Sequence, residues 1–219
     1  MSELLTWQLV DSAFPTGGFA HSWGLESAWQ HGEVTSGDEL RRFVRDAVTQ
    51  AGRGMLAIVR AAHETPSRLA ALDEHAEACL RNPVANRASR VQGRALVATA
   101  ARVWPGAAAL VDLEHETHAL AGHLAPVAGV VFRALGVSPA TTERVLLFST
   151  ARGVLAAAVR LGIVGSYEAQ RLQFDCGSDV ERVVASCAEM DVADVAQTAP
   201  IADMLQCAHD RLYSRLFQS

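Results

Sequence analysis

The chain of 219 residues is 50% hydrophobic and 20% charged, a composition that can form one substantial core without metals or disulfides. Its formal net charge of -5 argues against nucleic acid as a partner, because gripping phosphate backbones needs clustered excess cation. All 19 basic residues are arginine, which excludes Walker A nucleotide binding and lysine-based catalysis, since both depend on a lysine amine.

The cysteines and the first residues indicate a cytosolic protein. The four cysteines are widely spaced and form no C-x-x-C pair, so neither a disulfide framework nor a cysteine zinc site is predicted. The sequence starts without a basic segment followed by an apolar run, and arginines interrupt its most apolar stretches. We therefore expect a protein of the reducing cytosol that is neither secreted nor membrane-spanning.

The N-terminal part predicts a short helix, a turn and then a long helix. A leucine-rich helical start is interrupted at 11–19, where proline, threonine and two glycines favour a structural turn. The long helix starts at a capping box formed by Ser36 and Glu39 and ends at Thr65 and Pro66. Its apolar stripe consists of Leu40, Phe43, Val44, Ala47, Val48, Met55, Ile58 and Val59.

Prolines and capping residues divide the rest of the chain. Pro83, Pro139 and Pro200 suit first helical positions, and Ser178 with Glu181 predicts a second capping box. Further breaks are predicted at Trp104-Pro105-Gly106 and at Ala125-Pro126. Because no stretch is long enough to be a linker, we expect an all-α fold in which residues 1–219 form one globular domain of about nine or ten helices.

Glu114, His115 and His118 form a weak candidate metal site. Zincins place two histidines four residues apart on one helix face, whereas His115 and His118 are one residue closer. These side chains, with His123 nearby, could still meet a nickel or zinc ion. A solvated helix face explains the same residues, so we predict no stable metal site.

Arginines on a predicted central helix form another candidate surface. Arg87, Arg90 and Arg94 follow Arg81 at i, i+3, i+7 spacing. They suit an acidic protein partner or an intramolecular network of ion pairs, and solvation alone would also explain them. Gly93 lies in mid-helix, where glycine costs about 1 kcal/mol relative to alanine, so we expect a packing or contact reason for it.

The last residues combine apolar and arginine side chains where chain ends usually fray. Tyr213, Leu216 and Phe217 surround Arg215, and tyrosine and arginine are enriched at interface hot spots. Packing on the chain's own core is the alternative. We favour the interpretation that 209–219 is a partner-docking C-terminal tail.

Two motifs resemble the UreF family of urease accessory proteins. The pattern D-S-x-x-P-x-G-G-F-x-x-S-x-G-L-E is matched by Asp11, Ser12, Pro15, Gly17, Gly18, Phe19, Ser22, Gly24, Leu25 and Glu26. The pattern H-[ED]-x-x-x-S-R-L-F-x-S is matched by His209, Asp210, Ser214, Arg215, Leu216, Phe217 and Ser219. Weaker similarity around Ser89 and Gln92 to Arg94 extends the resemblance over essentially the whole chain.

The resemblance implies an all-α, non-catalytic homodimer in the cytosol. Such a scaffold would bridge UreD, also called UreH, and the GTPase UreG during GTP-dependent nickel insertion into apo-urease. Nickel would be handled transiently, and no cofactor would be bound stably. The resemblance also places the tail, with Tyr213, Ser214, Arg215, Leu216, Phe217 and Ser219, at the dimer and UreD contact, and the 11–26 segment near the partner-facing surface.

Arg160 lies where the chain departs from the family pattern. Many members read K-L-x-P-[LF]-G-Q after a long central helix, and here Arg160 keeps the positive charge of the lysine. Ile163 and Ser166 replace the proline and the glutamine. The resemblance implies that Arg160 is also a partner-binding residue.

Two other classes of function remain open on the residues alone. A metal-dependent hydrolase centred on Glu114, His115 and His118 would carry stoichiometric metal. A helical regulator that binds a small ligand would be a monomer, and its melting temperature would rise with the ligand.

Overall fold

The computed structural model describes residues 3–219, and every regular element within them is a helix. The α-helices are α1 (Glu3–Val10), α2 (Leu25–Gln30), α3 (Gly37–Glu64), α4 (Leu69–Cys79), α5 (Pro83–Val103), α6 (Ala108–His118), α7 (Leu124–Ala134), α8 (Pro139–Arg160), α9 (Ser166–Asp175), α10 (Gly177–Ser186) and α11 (Pro200–Ala208). Only Cys176 separates α9 from α10, so these two form one bent helix and the count agrees with the prediction. The predicted all-α fold is confirmed.

Two buried clusters form one continuous core because α3 and α8 contribute to both. One cluster joins parts of α3 and α8 to α4, α5, α6 and α7, with Ile58 and Val131 at its centre. The other joins the remaining parts of α3 and α8 to α2, α9 and α10, and includes Val48 and Val154. Met55 borders both clusters, and the chain therefore forms a single compact domain. Within 3–219, no helix has both the length and the apolar character needed to cross a membrane.

Most of the predicted helix boundaries are confirmed. The Ser36 side chain accepts the N–H of Glu39 at 3.4 Å, and Glu39 Oε2 accepts the N–H of Ser36 at 3.1 Å. Asn82 and Ser138 likewise cap α5 and α8, each of which has proline in its first turn. These caps satisfy main-chain N–H groups that have no acceptor inside the helix.

Two predicted boundaries are wrong. Ser178 lies inside α10, and its hydroxyl donates to the main-chain oxygen of Asp175 at 3.2 Å instead of capping the helix. The reason is that Cys176 keeps helical dihedral angles, so the chain never takes the extended conformation of an N-cap. Pro126 is not a break either, because it occupies the first turn of α7, where its missing N–H costs no hydrogen bond.

Gly93 has the predicted contact reason. A Cβ at this position would collide with the main-chain oxygen of Gly122 and the main-chain nitrogen of Leu124. The absence of a side chain thus lets α5 approach the start of α7, which packs between α5 and α3.

Candidate partner-binding site

The N-terminal motif and the C-terminal tail contact each other in the folded chain. We call this region the terminal junction and define it as 11–26, 209–219 and Arg160. Main-chain hydrogen bonds join its two segments, from Ser22 N–H to the Ser219 oxygen at 2.5 Å and from Gln218 N–H to the Ala20 oxygen at 2.8 Å. The two stretches that the sequence singled out therefore meet in one place.

Residues 11–19 form the predicted turn between α1 and the following helix. The Asp11 carboxylate accepts a main-chain N–H within the turn at 2.7 Å. The Thr99 hydroxyl of α5 donates to the carbonyl of Pro15 at 3.0 Å, which attaches the turn to the helical core. Asp11, Ser12 and Pro15 are exposed, so this turn contributes surface to the terminal junction.

Glycines set the path of the chain from this turn into α2. Gly17 and Gly24 have φ angles of 74° and 84°, in the left-handed region that favours glycine. Gly18 begins a 3-10 turn between them. At Gly24 a Cβ would also approach the Cβ of Gln206 in α11 to 2.9 Å, so the absence of a side chain brings α11 against the start of α2, where Leu25 is fully buried.

Glu26 is the central acceptor of the terminal junction. Its carboxylate lies 3.0 Å from Nε2 of His209, and both side chains are buried. It also accepts the main-chain N–H groups of Leu216 at 2.6 Å and Phe217 at 3.1 Å. A buried carboxylate is tolerated when hydrogen bonds satisfy its oxygens, and here those bonds come from the C-terminal tail.

His21, Ser22 and Ser219 form a second buried contact between the two segments. The Ser22 hydroxyl donates to the main-chain oxygen of Ser219 at 2.8 Å, and Nδ1 of His21 lies 2.6 Å from Oγ of Ser219. Burial, with smaller contributions from the charges of Arg87 and His209, lowers the pKa of His21 to about 4. His21 is therefore neutral at neutral pH.

Arg160, the last residue of α8, contacts both segments of the terminal junction. Its guanidinium donates to the carbonyl of Phe19 at 2.7 Å. The guanidinium carbon also lies 4.2 Å from the centroid of the Phe217 ring, a cation–π geometry. Arg160 thus has a defined role within the chain.

Part of the tail packs on the chain's own core, which was the alternative to a docking tail. Phe217 and Ser219 are buried, with 5% and 1% of their surfaces exposed. In contrast, Tyr213 is fully exposed and Leu216 is 53% exposed, while Ser214 and Arg215 also face solvent. Residues 213–216 are therefore an exposed stretch of the tail that carries Tyr213, Arg215 and Leu216.

The predicted arginine stripe makes contacts inside the chain. Arg87 pairs with Asp210 at 2.8 Å, and Arg215 approaches the same carboxylate at 3.4 Å. Arg94 donates to the carbonyl of Leu120 at 3.0 Å. These exposed contacts each contribute little to stability, and only the Arg87–Asp210 pair among them joins the tail to α5.

The candidate metal residues are not arranged as a metal site. The rings of His115 and His118 are edge-on with centroids 6.4 Å apart, and both side chains are exposed. His123 is buried elsewhere, with its ring nitrogens 2.7 Å from Glu77 and 3.1 Å from Ser89. Across 3–219, no three histidine, cysteine, aspartate or glutamate side chains come together in a way that could hold a metal ion.

Sequence reasoning missed the pairings inside the terminal junction. Glu26 and His209 are 183 positions apart, and His21 and Ser219 are 198 apart, so no local period relates them. His21 and Gln206 were not singled out at all. The sequence offered one indication of these pairings. Both motifs contain polar residues, and polar side chains are rarely buried unless they have a hydrogen-bond partner.

The chain is similar in sequence to known proteins over most of its length. The UreF family profile matches residues 34–177, more than half of the chain. Urease accessory protein F of Oryza sativa subsp. japonica is 39% identical over 216 residues, covering 96% of this chain and 83% of the relative. The Arabidopsis thaliana protein of the same name is 37% identical over 218 residues, covering 97% and 91%. Urease accessory protein UreF of Mycobacterium tuberculosis (strain ATCC 25618 / H37Rv) is 33% identical over 219 residues, covering 100% and 99%. With its profile match, full-length relatives and all-helical fold, the chain belongs to the UreF family.

Proposed function

We propose that this chain is a non-catalytic urease accessory protein, a scaffold that bridges UreD and the GTPase UreG during GTP-dependent nickel insertion into apo-urease. The names of its relatives support a role in urease maturation. The observation that carries the scaffold role is the terminal junction, where buried hydrogen bonds hold exposed apolar residues in a fixed position. In this proposal the protein acts in the cytosol as a homodimer, and nickel is cargo of the assembly.

The proposed partner-binding surface consists of Phe19, Tyr213, Arg215 and Leu216. Phe19 is 71% exposed, although Arg160 holds its carbonyl. Tyr213, Arg215 and Leu216 are exposed beside main-chain groups that Glu26 fixes. Preorganised aromatic and arginine side chains commonly dominate the free energy of protein binding, because little entropy is lost when they are covered.

The chemistry of the terminal junction supports a scaffold in preference to an enzyme. Its buried ionisable pair, Glu26 and His209, is engaged with the tail, and the Glu26 oxygens accept main-chain N–H groups. A general acid or base needs an ionisable group within hydrogen-bond reach of a substrate. Here the same groups join the two segments of the chain.

Co-purification with UreD tests the proposal. We expect the double variant Tyr213→Ala and Leu216→Ala to keep its helix content and bind UreD at least about tenfold more weakly, because it removes exposed interface anchors. Arg215→Ala should weaken binding in the same direction. The matched control is Tyr167→Ala with Phe174→Ala, which removes side chains that are 94% and 85% exposed on α9.

Undiminished UreD binding by the Tyr213/Leu216 variant, or equal loss in the α9 control, would contradict the proposed surface. Deletion of residues 214–219 is a poorer test, because it also removes Phe217 from the core and Ser219 from its buried hydrogen bonds. Light scattering of the purified chain, alone and with UreD and UreG, would test the homodimer and the bridging role.

A further inference from the structure

A cavity of about 550 Å³ lies between α3, α4, α5 and α11, next to the terminal junction. Its apolar walls include Phe43, Met55, Ile58, Leu80 and Leu124. The volume is within the range of about 300–1,000 Å³ that is typical of small-molecule sites. Phe43 and Met55 belong to the predicted apolar stripe of α3 but are only half-buried, because they face this cavity.

One wall of the cavity is held in place by hydrogen bonds from two side chains. Residues 197–206 form this wall, and Oε1 of Gln50 accepts the N–H groups of Thr198 at 2.6 Å and Ala199 at 2.8 Å. Nδ2 of Asn82 donates to Oε1 of Gln206 at 3.1 Å. These contacts attach 197–206 to α3 and to the N-cap of α5.

His21 lines the cavity, and one of its ring nitrogens is unpaired. Its side chain is only 4% exposed, and its Nδ1 is engaged by Oγ of Ser219. Nε2 has no hydrogen-bond partner among the residues that the structure describes. A buried ring nitrogen without a partner is costly, and the lowered pKa of His21 keeps the ring neutral. Because this atom is itself buried, His21 contributes a neutral wall to the cavity and not a hydrogen bond to a ligand.

The charges around the cavity disfavour an anionic ligand. The carboxylates of Glu33, Glu39, Asp46 and Asp203 line it, against a single guanidinium from Arg42. Because the carboxylates outnumber the guanidinium and His21 is neutral, a carboxylate or phosphate would be repelled without a compensating ion pair.

We propose that this cavity binds an uncharged, mostly apolar small molecule. The apolar walls take up the ligand, and the carboxylates around the cavity select against anions. The inference does not depend on the proposed scaffold role, because the cavity belongs to the single chain. It gives the protein a ligand site in addition to its surface for partners.

Binding of Nile red, an uncharged apolar dye, to the full chain tests the site. We expect saturable binding of one dye per chain and displacement of the dye by 1-octanol. Octanoate, which has the same chain length but a negative charge, should displace it at least about tenfold more weakly at neutral pH. Absence of saturable binding, or displacement by octanoate as strong as by 1-octanol, would overturn the proposal.

A substitution that fills the cavity tests whether the dye binds there. Ala88 of α5 lines the cavity and is 7% exposed, so Ala88→Phe should weaken dye binding at least about tenfold by occupying the space. Ala71→Phe, at an exposed position of α4, is the matched control and should bind like the unmodified chain. If circular dichroism shows that Ala88→Phe is unfolded, the smaller change Ala85→Leu replaces it. A folded cavity variant with unchanged affinity would place the site elsewhere.

Discussion

His21 is kept neutral by its surroundings in the terminal junction. Burial makes the largest contribution to lowering the pKa of His21, and the charges of Arg87 and His209 lower it further. Its pKa of about 4 in the folded chain lies below the ordinary value of 6.5. Between these values the unfolded chain binds more protons, so the contribution of His21 to stability is fully present above pH 6.5 and is lost as the pH falls toward 4.

We therefore expect a pH-dependent loss of stability from this one residue. The free energy of unfolding, measured by urea titration, should decrease by up to about 1.4 kcal/mol for each pH unit below 6.5. His21→Asn removes the titrating group, so the curve of that variant should be flatter over the same range. Parallel curves for the two proteins would show that His21 does not cause the decrease.

Gly93 allows a second test at the scale of a residue. Gly93→Ala places a methyl group against the main chain of residues 122–124, which side-chain motion cannot relieve. We expect a loss of about 2 kcal/mol or more in the free energy of unfolding, despite the higher helix propensity of alanine. Gly153→Ala in α8 is the matched control, because its nearest neighbour would be Trp23 at an ordinary 3.5 Å. The control should be neutral or slightly stabilising in the same urea titration.

At the scale of elements, long helices are joined by a few polar contacts between distant segments. Arg60 of α3 pairs with Glu143 of α8 at 2.6 Å and donates to the carbonyls of Cys187 at 2.6 Å and Met190 at 3.0 Å. This half-buried guanidinium ties together α3, α8 and the turn after α10. Removing one member of such a group would leave the others without partners in the interior.

Two serine substitutions distinguish a true N-cap, Ser36, from a serine that only resembles one in the sequence, Ser178. Ser36→Ala should lower the free energy of unfolding by about 1 kcal/mol, because it removes the acceptor of the Glu39 N–H group. Ser178→Ala should change it by less than about 0.5 kcal/mol, because Ser178 is an exposed residue inside α10. Chemical denaturation measures both values. A larger loss at Ser178 would mean that Ser178 is the N-cap and that α10 begins two residues later, at Asp179.

At the scale of the whole molecule, the two ends of the described chain stabilise one another. The Glu26 carboxylate connects α2 to His209 and to the main chain of the tail. Burial of Phe217 adds apolar contact of the kind worth about 1.5–3 kcal/mol for a side chain of this size. The tail is therefore part of the folded structure as well as a candidate surface for partners.

Substitution of Glu26 tests this coupling. Glu26→Ala leaves His209 and two main-chain N–H groups without their acceptor, so we expect a loss of about 3 kcal/mol. Hydrogen exchange of the Leu216 and Phe217 amides should become faster, while exchange in α7 should change less. Glu33→Ala removes an exposed carboxylate nearby in sequence and serves as the control. Unchanged exchange at 216–217 would contradict the central role of Glu26.

Much of the secondary structure was predictable because its signals act over a few residues. The capping box at Ser36, the prolines that begin α5, α8 and α11, and the apolar period of α3 all behave as predicted. The wrong prediction at Ser178 also comes from a local signal. The capping-box pattern is present in the sequence, but Cys176 already has helical dihedral angles, so Ser178 is the second residue of α10 and not its N-cap. The motifs at 11–26 and 209–219 likewise indicated the family from short stretches of sequence.

By itself, then, the sequence determined the all-α class, most helix ends and the resemblance to UreF, because caps, periodicity and motifs are local properties. Only the tertiary structure decided that Glu26 meets His209, that Phe217 is buried while Tyr213 is exposed, and that a cavity lies beside His21. These features depend on how the helices pack within the described residues. Packing brings together side chains that are nearly two hundred positions apart in the sequence, and no local pattern of residues predicts which of them will meet.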